Sequence, residues 1–260
     1  RNRIDAYIPE DRRLTPKGSG VRMLLDLLHR SRLQFPGMAM GFLNRLLDEA
    51  WAHAKRRMVG GRPLASYDQV QSRLAELQAA YTTCSAMCVY SSSVASIEND
   101  CSPLSLAANS IKSVVTDMMQ SASQSLVQLM GAKGYRKDHI AGASLVDSRP
   151  FQIFEGSNDI LYEQIADGVL KAMGRGKESN LYRFLTRFEL SSRAAKHFGQ
   201  MLDFQLDEVL AQRRKVELGR LLGRVFSAQM VIDLGERGFR TDLIENCILS
   251  LKRQIAGILG

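Results

Sequence analysis

The residues best suited to chemistry in this 260-residue chain lie in one segment, Phe151-Gln152-Ile153-Phe154-Glu155-Gly156-Ser157-Asn158-Asp159-Ile160-Leu161. Glu155 sits between apolar residues and a glycine, directly ahead of a helical pattern. A carboxylate with apolar flanks is partly desolvated, which disfavours its charged form and suits it to taking a proton. Gly156 lets a ligand approach the backbone closely. Ser157 is a good N-cap, and Asp159 in the first turn complements the helix dipole. The free N–H groups of such a helix start can hold an anion or a polar ring system. This arrangement could abstract a proton from a substrate held beside a bound group. The same residues also describe a plain loop carboxylate before a capped helix, and taken alone they favour that simpler reading.

Other chemistries find less support. Cys84 and Cys88 form a lone C-x3-C without a second close pair, so no zinc site is expected. With Cys101 and Cys247 they read as free thiols of a reducing compartment, a cytoplasm or a mitochondrial matrix. The formal charge is +8, and residues 1–62 hold 13 Lys/Arg against 6 Asp/Glu. These basic residues alternate with apolar helix and form no compact block, which argues against nucleic acid and leaves solvated faces or a phosphate-bearing ligand. No apolar run approaches the ~18 residues that span a bilayer. The chain begins at Arg1 rather than Met, so a fragment with sequence missing upstream is expected.

The elements that must position Glu155 are helical. Residues 1–20 read as a short strand remnant around Ile4, Tyr7 and Ile8, followed by a Pro/Gly loop. From Val21 to about Val59 the pattern is helical, with Pro36 expected to kink or split it and Gly60-Gly61-Arg62-Pro63 to end it. Val70, Leu74, Leu77, Tyr81, Cys84 and Cys88 make the clearest stripe, and Ile111 to Leu129 form a third long helix. A further helix follows Ser157, and Met173 to Lys177 reads as a linker. Three more helices are expected over roughly 180–199, 203–233 and 239–259. The fold class is all-α: an up-and-down four-helix bundle over 21–175, then a helical extension over 178–260.

Four motifs then stand in order. QIFEGSNDIL resembles the signature of acyl-CoA dehydrogenases, an aromatic-E-G-T-x-x-I run. QLMGAKGY (Gln128 to Tyr135) resembles the family's Q-x-x-G-G-x-G-Y. RRMVGGRP (Arg56 to Pro63) resembles its R-x-x-F-G-x-P turn, and LLHRSR (Leu27 to Arg32) its L-D-x-x-R. One such motif is weak, whereas four in register over residues 1–172 are specific.

The resemblance implies a flavin-dependent enzyme that converts a fatty acyl-CoA to a trans-2-enoyl-CoA. Glu155 would take the α-proton and FAD the β-hydride. Gly156, with His29, Arg30, Ser31 and Arg32, would meet the acyl-CoA. Ser157, Asn158 and Asp159 would contact FAD at the helix start. Arg57, Met58 and Val59 would reach FAD phosphates and adenosine, across a subunit boundary, and Gln128, Leu129, Met130, Gly131 and Ala132 would line the adenosine side. An arginine fork pairs well with a diphosphate. The resemblance further implies an electron-transfer flavoprotein or similar acceptor and a homodimer or homotetramer. One family variant carries its base just before the arginine matching Arg32. That position is Ser31 here, an alcohol that cannot act alone as a base, so Glu155 has no rival.

The chain departs from the family at several points. Gly60 replaces the phenylalanine of the turn, Asp68 a glutamine, Ala132 the second glycine, His29 an acidic residue and Val146 an arginine, while Ser157 keeps the hydroxyl of a threonine. These losses fall mostly on the adenosine contacts and motivate an alternative, a non-catalytic helical interaction module. Residues 178–260 lie beyond the common core and resemble the very-long-chain branch with its C-terminal helical domain. The basic stretch Arg213-Arg214-Lys215 is read as a solvated face in preference to a membrane contact. The family's N-terminal helical and middle β-domains are absent from this sequence, so the 260-residue chain alone is expected to bind FAD weakly or not at all.

Overall fold

The structure, a computed structural model, describes residues 3, 5–13, 15, 18–206 and 210–260. Three long helices open the fold: α1 (Gly20–Arg56), α2 (Asp68–Val94) and α3 (Ser105–Met130). A short helix α4 (Ile140–Ser148) leads to α5 (Asn158–Arg175). Arg32 meets Asn109 near one end of α1 and His53 lies near Lys133 at the other, so α1 and α3 run parallel with α2 returning between them. Lys112 meets Asn158, and Leu106 packs on Gly168, so α5 runs back down α3. The up-and-down bundle expected from the sequence is therefore present.

Helix α3 forms its centre. Every residue from Ala107 to Thr116 is buried, including Asn109, Ser110, Lys112, Ser113 and Thr116. A stretch of helix buried all round has no polar face, and small polar side chains are tolerated there only where neighbours satisfy them.

Several expectations need correction. Pro36 does not split α1, which is continuous across it. The turn after α1 is a β-hairpin, in which Met58–Val59 (β1) pairs antiparallel with Arg62–Pro63 (β2). Gly60 (φ 54°) and Gly61 (φ 79°) are both left-handed, as a two-residue hairpin turn requires. A phenylalanine at 60 would be strained there, which explains one family departure. Ile4 lies outside the described residues. Among those described near it, Tyr7 and Ile8 are exposed and not in a strand. The supposed linker Met173–Lys177 mostly continues α5, which ends at Arg175.

Residues 180–199 do not form one helix. They break into α6 (Leu181–Leu185) and α7 (Ala194–His197), followed by α8 (Gly199–Leu202). The Ser191 hydroxyl donates to the Leu185 carbonyl, and Gln229 accepts from the backbone N–H groups of Arg193 and Ala194. Local and tertiary polar contacts thus replace the helical ladder. The next helix, α9 (Gln212–Glu236), starts nine residues later than expected from the pattern, and α10 (Thr241–Leu259) completes the fold. Residues 221–231 of α9 are all buried, against α2, α3 and α5, and α10 packs on α2 and α9. Residues 178–260 are thereby drawn into the same hydrophobic core as the bundle. No helix among the described residues is long and apolar enough to cross a membrane.

Candidate active site

Glu155 lies in the turn between Gln152 and α5, and both Glu155 (φ 56°) and Gly156 (φ 95°) are left-handed. For glutamate this conformation costs about 1–2 kcal/mol, so neighbours must hold it. The Arg32 guanidinium donates to the Glu155 carbonyl at 2.8 Å and to Asn109 Oδ1 at 2.7 Å. Asn109 in turn donates to Gln164 at 3.1 Å. The Lys112 ammonium donates to the Gly156 carbonyl at 2.8 Å and to Asn158 Oδ1 at 2.9 Å. The aromatic rings of Phe35, Phe151 and Phe154 pack with centroids 5.3–6.1 Å apart and hold the segment ahead of the turn. A Cβ on Gly156 would stand 3.0 Å from Leu161 and 3.3 Å from the Arg32 guanidinium, so it would have little room, and the left-handed backbone favours glycine there.

The carboxylate is treated asymmetrically. Ser31 Oγ donates to Glu155 Oε1 at 2.8 Å, while Oε2 is buried and has no hydrogen-bond partner. An oxygen left without a donor retains its full capacity to accept a proton. Ser31 and Glu155, contributed by two of the four sequence motifs, thus face one another.

Burial, with Arg32 close by, pulls the Lys112 ammonium down to about 8, against the Asp117 and Glu155 carboxylates. Burial also lowers Arg32, and Glu155 opposes that shift.

The remaining sequence-predicted residues divide. His29 and Arg30 turn away from Glu155, because successive helix positions point about 100° apart. His29 Nδ1 pairs with the Cys101 carbonyl at 2.9 Å, and Arg30 binds Asp26 and the carbonyls of Ser96 and Asn99. Both hold the loop between α2 and α3, so of that motif only Ser31 reaches the Glu155 carboxylate, while Arg32 reaches its backbone carbonyl. Ser157 occupies the N-cap position, but its side chain makes no cap hydrogen bond. The Asn158 side chain is buried, donating to Ser113, Thr116 and Asp117, so this residue offers the surface only its backbone. Asp159 is exposed and pairs with Arg220 of α9 at 3.0 Å.

A second group sits at the far end of α1. Arg57, Met58 and Val59 are exposed, as are Gln128, Gly131 and Ala132, whereas the Leu129 and Met130 side chains belong to the core. Gly131 (φ 61°) has open space where a Cβ would be. The 24 helical steps from Arg32 to Arg56 put this group about 36 Å from Glu155. One chain does not join the two groups into one pocket. An exposed arginine, a glycine open to close approach and a helix start with an unspent serine hydroxyl fit a nucleotide cofactor. Among the described residues, no group of three His, Cys, Asp or Glu side chains could hold a metal ion.

Residues 18–170 match the family described as acyl-CoA dehydrogenase, C-terminal domain. The chain belongs to the acyl-CoA dehydrogenase family. An acyl-CoA dehydrogenase of Bacillus subtilis is 29% identical over 156 residues, covering 60% of this chain and 40% of its own length. The human mitochondrial short-chain specific acyl-CoA dehydrogenase is 26% identical over 168 residues, covering 65% of this chain and 40% of its own. The chain thus spans about 40% of the length of the curated relatives it matches. A Bacillus anthracis acyl-CoA dehydrogenase crystallised with FAD superposes with a TM-score of 0.68 at 15% identity, over 92% of this chain and 48% of that one. Butyryl-CoA dehydrogenase of Megasphaera elsdenii gives 0.52 at 23%, over 63% and 42%. At these identities the likeness speaks for the fold alone. The wider of the two matches extends past residue 170 into the helices that follow.

Lys112, Asn109 and Asp117 were not singled out by sequence reasoning. A signal exists for the first. Lys112 is the one charged residue between Ser105 and Thr116, in a stretch of helix with no exposed residue from Ala107 to Thr116.

Proposed function

We propose that this chain is the C-terminal portion of a flavin-dependent dehydrogenase in which Glu155 removes the α-proton of a fatty acyl-CoA thioester. The observation that carries the reading is Glu155 Oε2, buried and unpartnered beside an Oε1 held by Ser31. Arg32 and Lys112 keep the turn that carries it in a left-handed form. The proton arrives at Oε2 and stays on the carboxyl group as the thioester α-carbon is deprotonated. When bound, FAD supplies the acceptor for the hydride that leaves the β-carbon, and the product is a trans-2-enoyl-CoA. Arg57 to Val59 and Gln128 to Ala132 would hold its nucleotide end, and Ser157 to Asp159 the helix-start side. The separation of these groups supports a homodimer or homotetramer in which one subunit completes the other's cofactor site. An electron-transfer flavoprotein or similar acceptor would reoxidise the enzyme, in a cytoplasm or a mitochondrial matrix.

The full-length protein is expected to be yellow and to turn over acyl-CoA with an artificial electron acceptor. The variant Glu155→Gln should keep FAD and lose turnover by a factor of about 10³ or more. Turnover retained in that variant would remove Glu155 from the role. The hairpin at Gly60, where the family has an aromatic ring, favours a second reading, a non-catalytic helical module. A full-length protein that is colourless and takes up no flavin would decide for it.

A further inference from the structure

Lys112 is wholly buried, and it lies outside the four short motifs read in the sequence. A lysine in a protein interior is costly unless its ammonium is satisfied, and here only the Glu155 turn and the first residue of α5 satisfy it. Its Nζ holds the carbonyl of Gly156 and the side-chain oxygen of Asn158, with which α5 begins. Asn158 is fixed on its other side by Ser113, Thr116 and Asp117 of α3. Arg32 from α1 holds the preceding carbonyl, that of Glu155. Two cations from two helices therefore grip two successive carbonyls, those of the two left-handed residues. The charged groups facing Lys112 are Arg32 from α1, Asp117 from α3 itself and Glu155 from the turn.

We propose that Lys112 is a positioning residue that locks the Glu155–Gly156 turn and so aims Glu155 Oε2 at the substrate. It touches neither the carboxylate nor any surface a substrate could reach, so it acts through the backbone. This rests on Glu155 acting as the base. Without the ammonium, the Gly156 carbonyl and Asn158 Oδ1 lose their charged donor, and the turn can relax from its left-handed form. A shift of about 1 Å in a reacting group costs about a hundredfold in rate.

The test uses the full-length holoenzyme carrying Lys112→Met, whose side chain is close in volume and has no charge. Anaerobic reduction of the flavin by acyl-CoA should slow about a hundredfold, with KM changed less than about threefold and FAD retained. The α-deuterium isotope effect should rise, because proton removal becomes the slow step. Amide hydrogen exchange should quicken over residues 153–158 while α2 and α10 keep their protection, a readout independent of turnover. Lys112→Gln, which keeps an N–H donor, should fall between wild type and Lys112→Met, and it decides the matter if the methionine variant does not fold. Combined with Glu155→Gln, Lys112→Met should slow the reaction no further than Glu155→Gln does alone. Wild-type reduction, an unchanged isotope effect and unchanged exchange in Lys112→Met, with Glu155→Gln dead, would overturn the role of Lys112 alone. Activity retained in Glu155→Gln would overturn the base itself.

Discussion

Replacing Arg224 by methionine tests how the C-terminal helices are tied to the bundle. Arg224 stands on α9 with its side chain only 11% exposed, donating to the Tyr162 hydroxyl at 2.6 Å and to Asp117 at 3.2 Å. Methionine keeps most of the packing volume and removes the charge. Breaking a fully buried ion pair costs about 3–5 kcal/mol because one charge is left uncompensated. Asp117 is partly shielded from that outcome. It is 20% exposed and keeps three donors, from Asn158 at 2.7 Å, Tyr162 at 2.7 Å and Gln152 at 2.8 Å. The Arg224 Nε, buried without a partner, also brings a cost that methionine relieves. The expected loss is therefore about 2–3 kcal/mol, or about 5–10 °C in Tm. Urea unfolding of Arg224→Met measures it. Adding Asp117→Asn removes the stranded charge and should restore at least about 1 kcal/mol. A single-variant loss below about 1 kcal/mol, with no recovery in the double variant, would refute the reasoning.

Other substitutions probe the same frame. Gly219 of α9 lies so close to α5 that a Cβ would meet the Tyr162 carbonyl oxygen at 1.9 Å, so Gly219→Ala should push the helices apart and cost about 3 kcal/mol in urea unfolding. Lys112 is lowered to about 8 from an ordinary value of 10.5, so the unfolded chain binds more protons between those values. Wild-type stability relative to Lys112→Met should thus rise as pH climbs from about 8 to 10.5, and a flat difference across paired urea titrations would contradict this. Titrating the 260-residue chain with FAD should give no stoichiometric binding, since its two candidate cofactor groups lie about 36 Å apart on one chain. A one-to-one complex would show that a single chain suffices.

The helices were legible because their apolar spacing was, as in the stripe from Val70 to Cys88 and the run from Ile244 to Ile258. The meeting of Ser31, Arg32 and Glu155 was legible through motif order, since one residue contributes from the start of the bundle and another from its end. Lys112 was not, because a periodicity reading looks for apolar stripes and residues 107–116 of α3 are buried on every side. The break at Ser191 was hidden for another reason: Gln229, far along the chain, supplies the acceptor that stops the helix. His29 and Arg30 were placed with their motif neighbours, although their positions on the helix turn them toward the loop before α3. Tertiary partners decided each of these points, and sequence spacing does not encode them.

The central claim is that Glu155 Oε2 receives the substrate's α-proton. Its most direct test is anaerobic stopped-flow bleaching of the flavin in full-length wild type and Glu155→Gln, using acyl-CoA with and without deuterium at the α-carbon. Glu155→Gln is predicted to bind FAD and acyl-CoA yet leave the flavin oxidised, while wild type bleaches with a clear α-deuterium effect. Bleaching of Glu155→Gln at a rate near wild type would contradict the account.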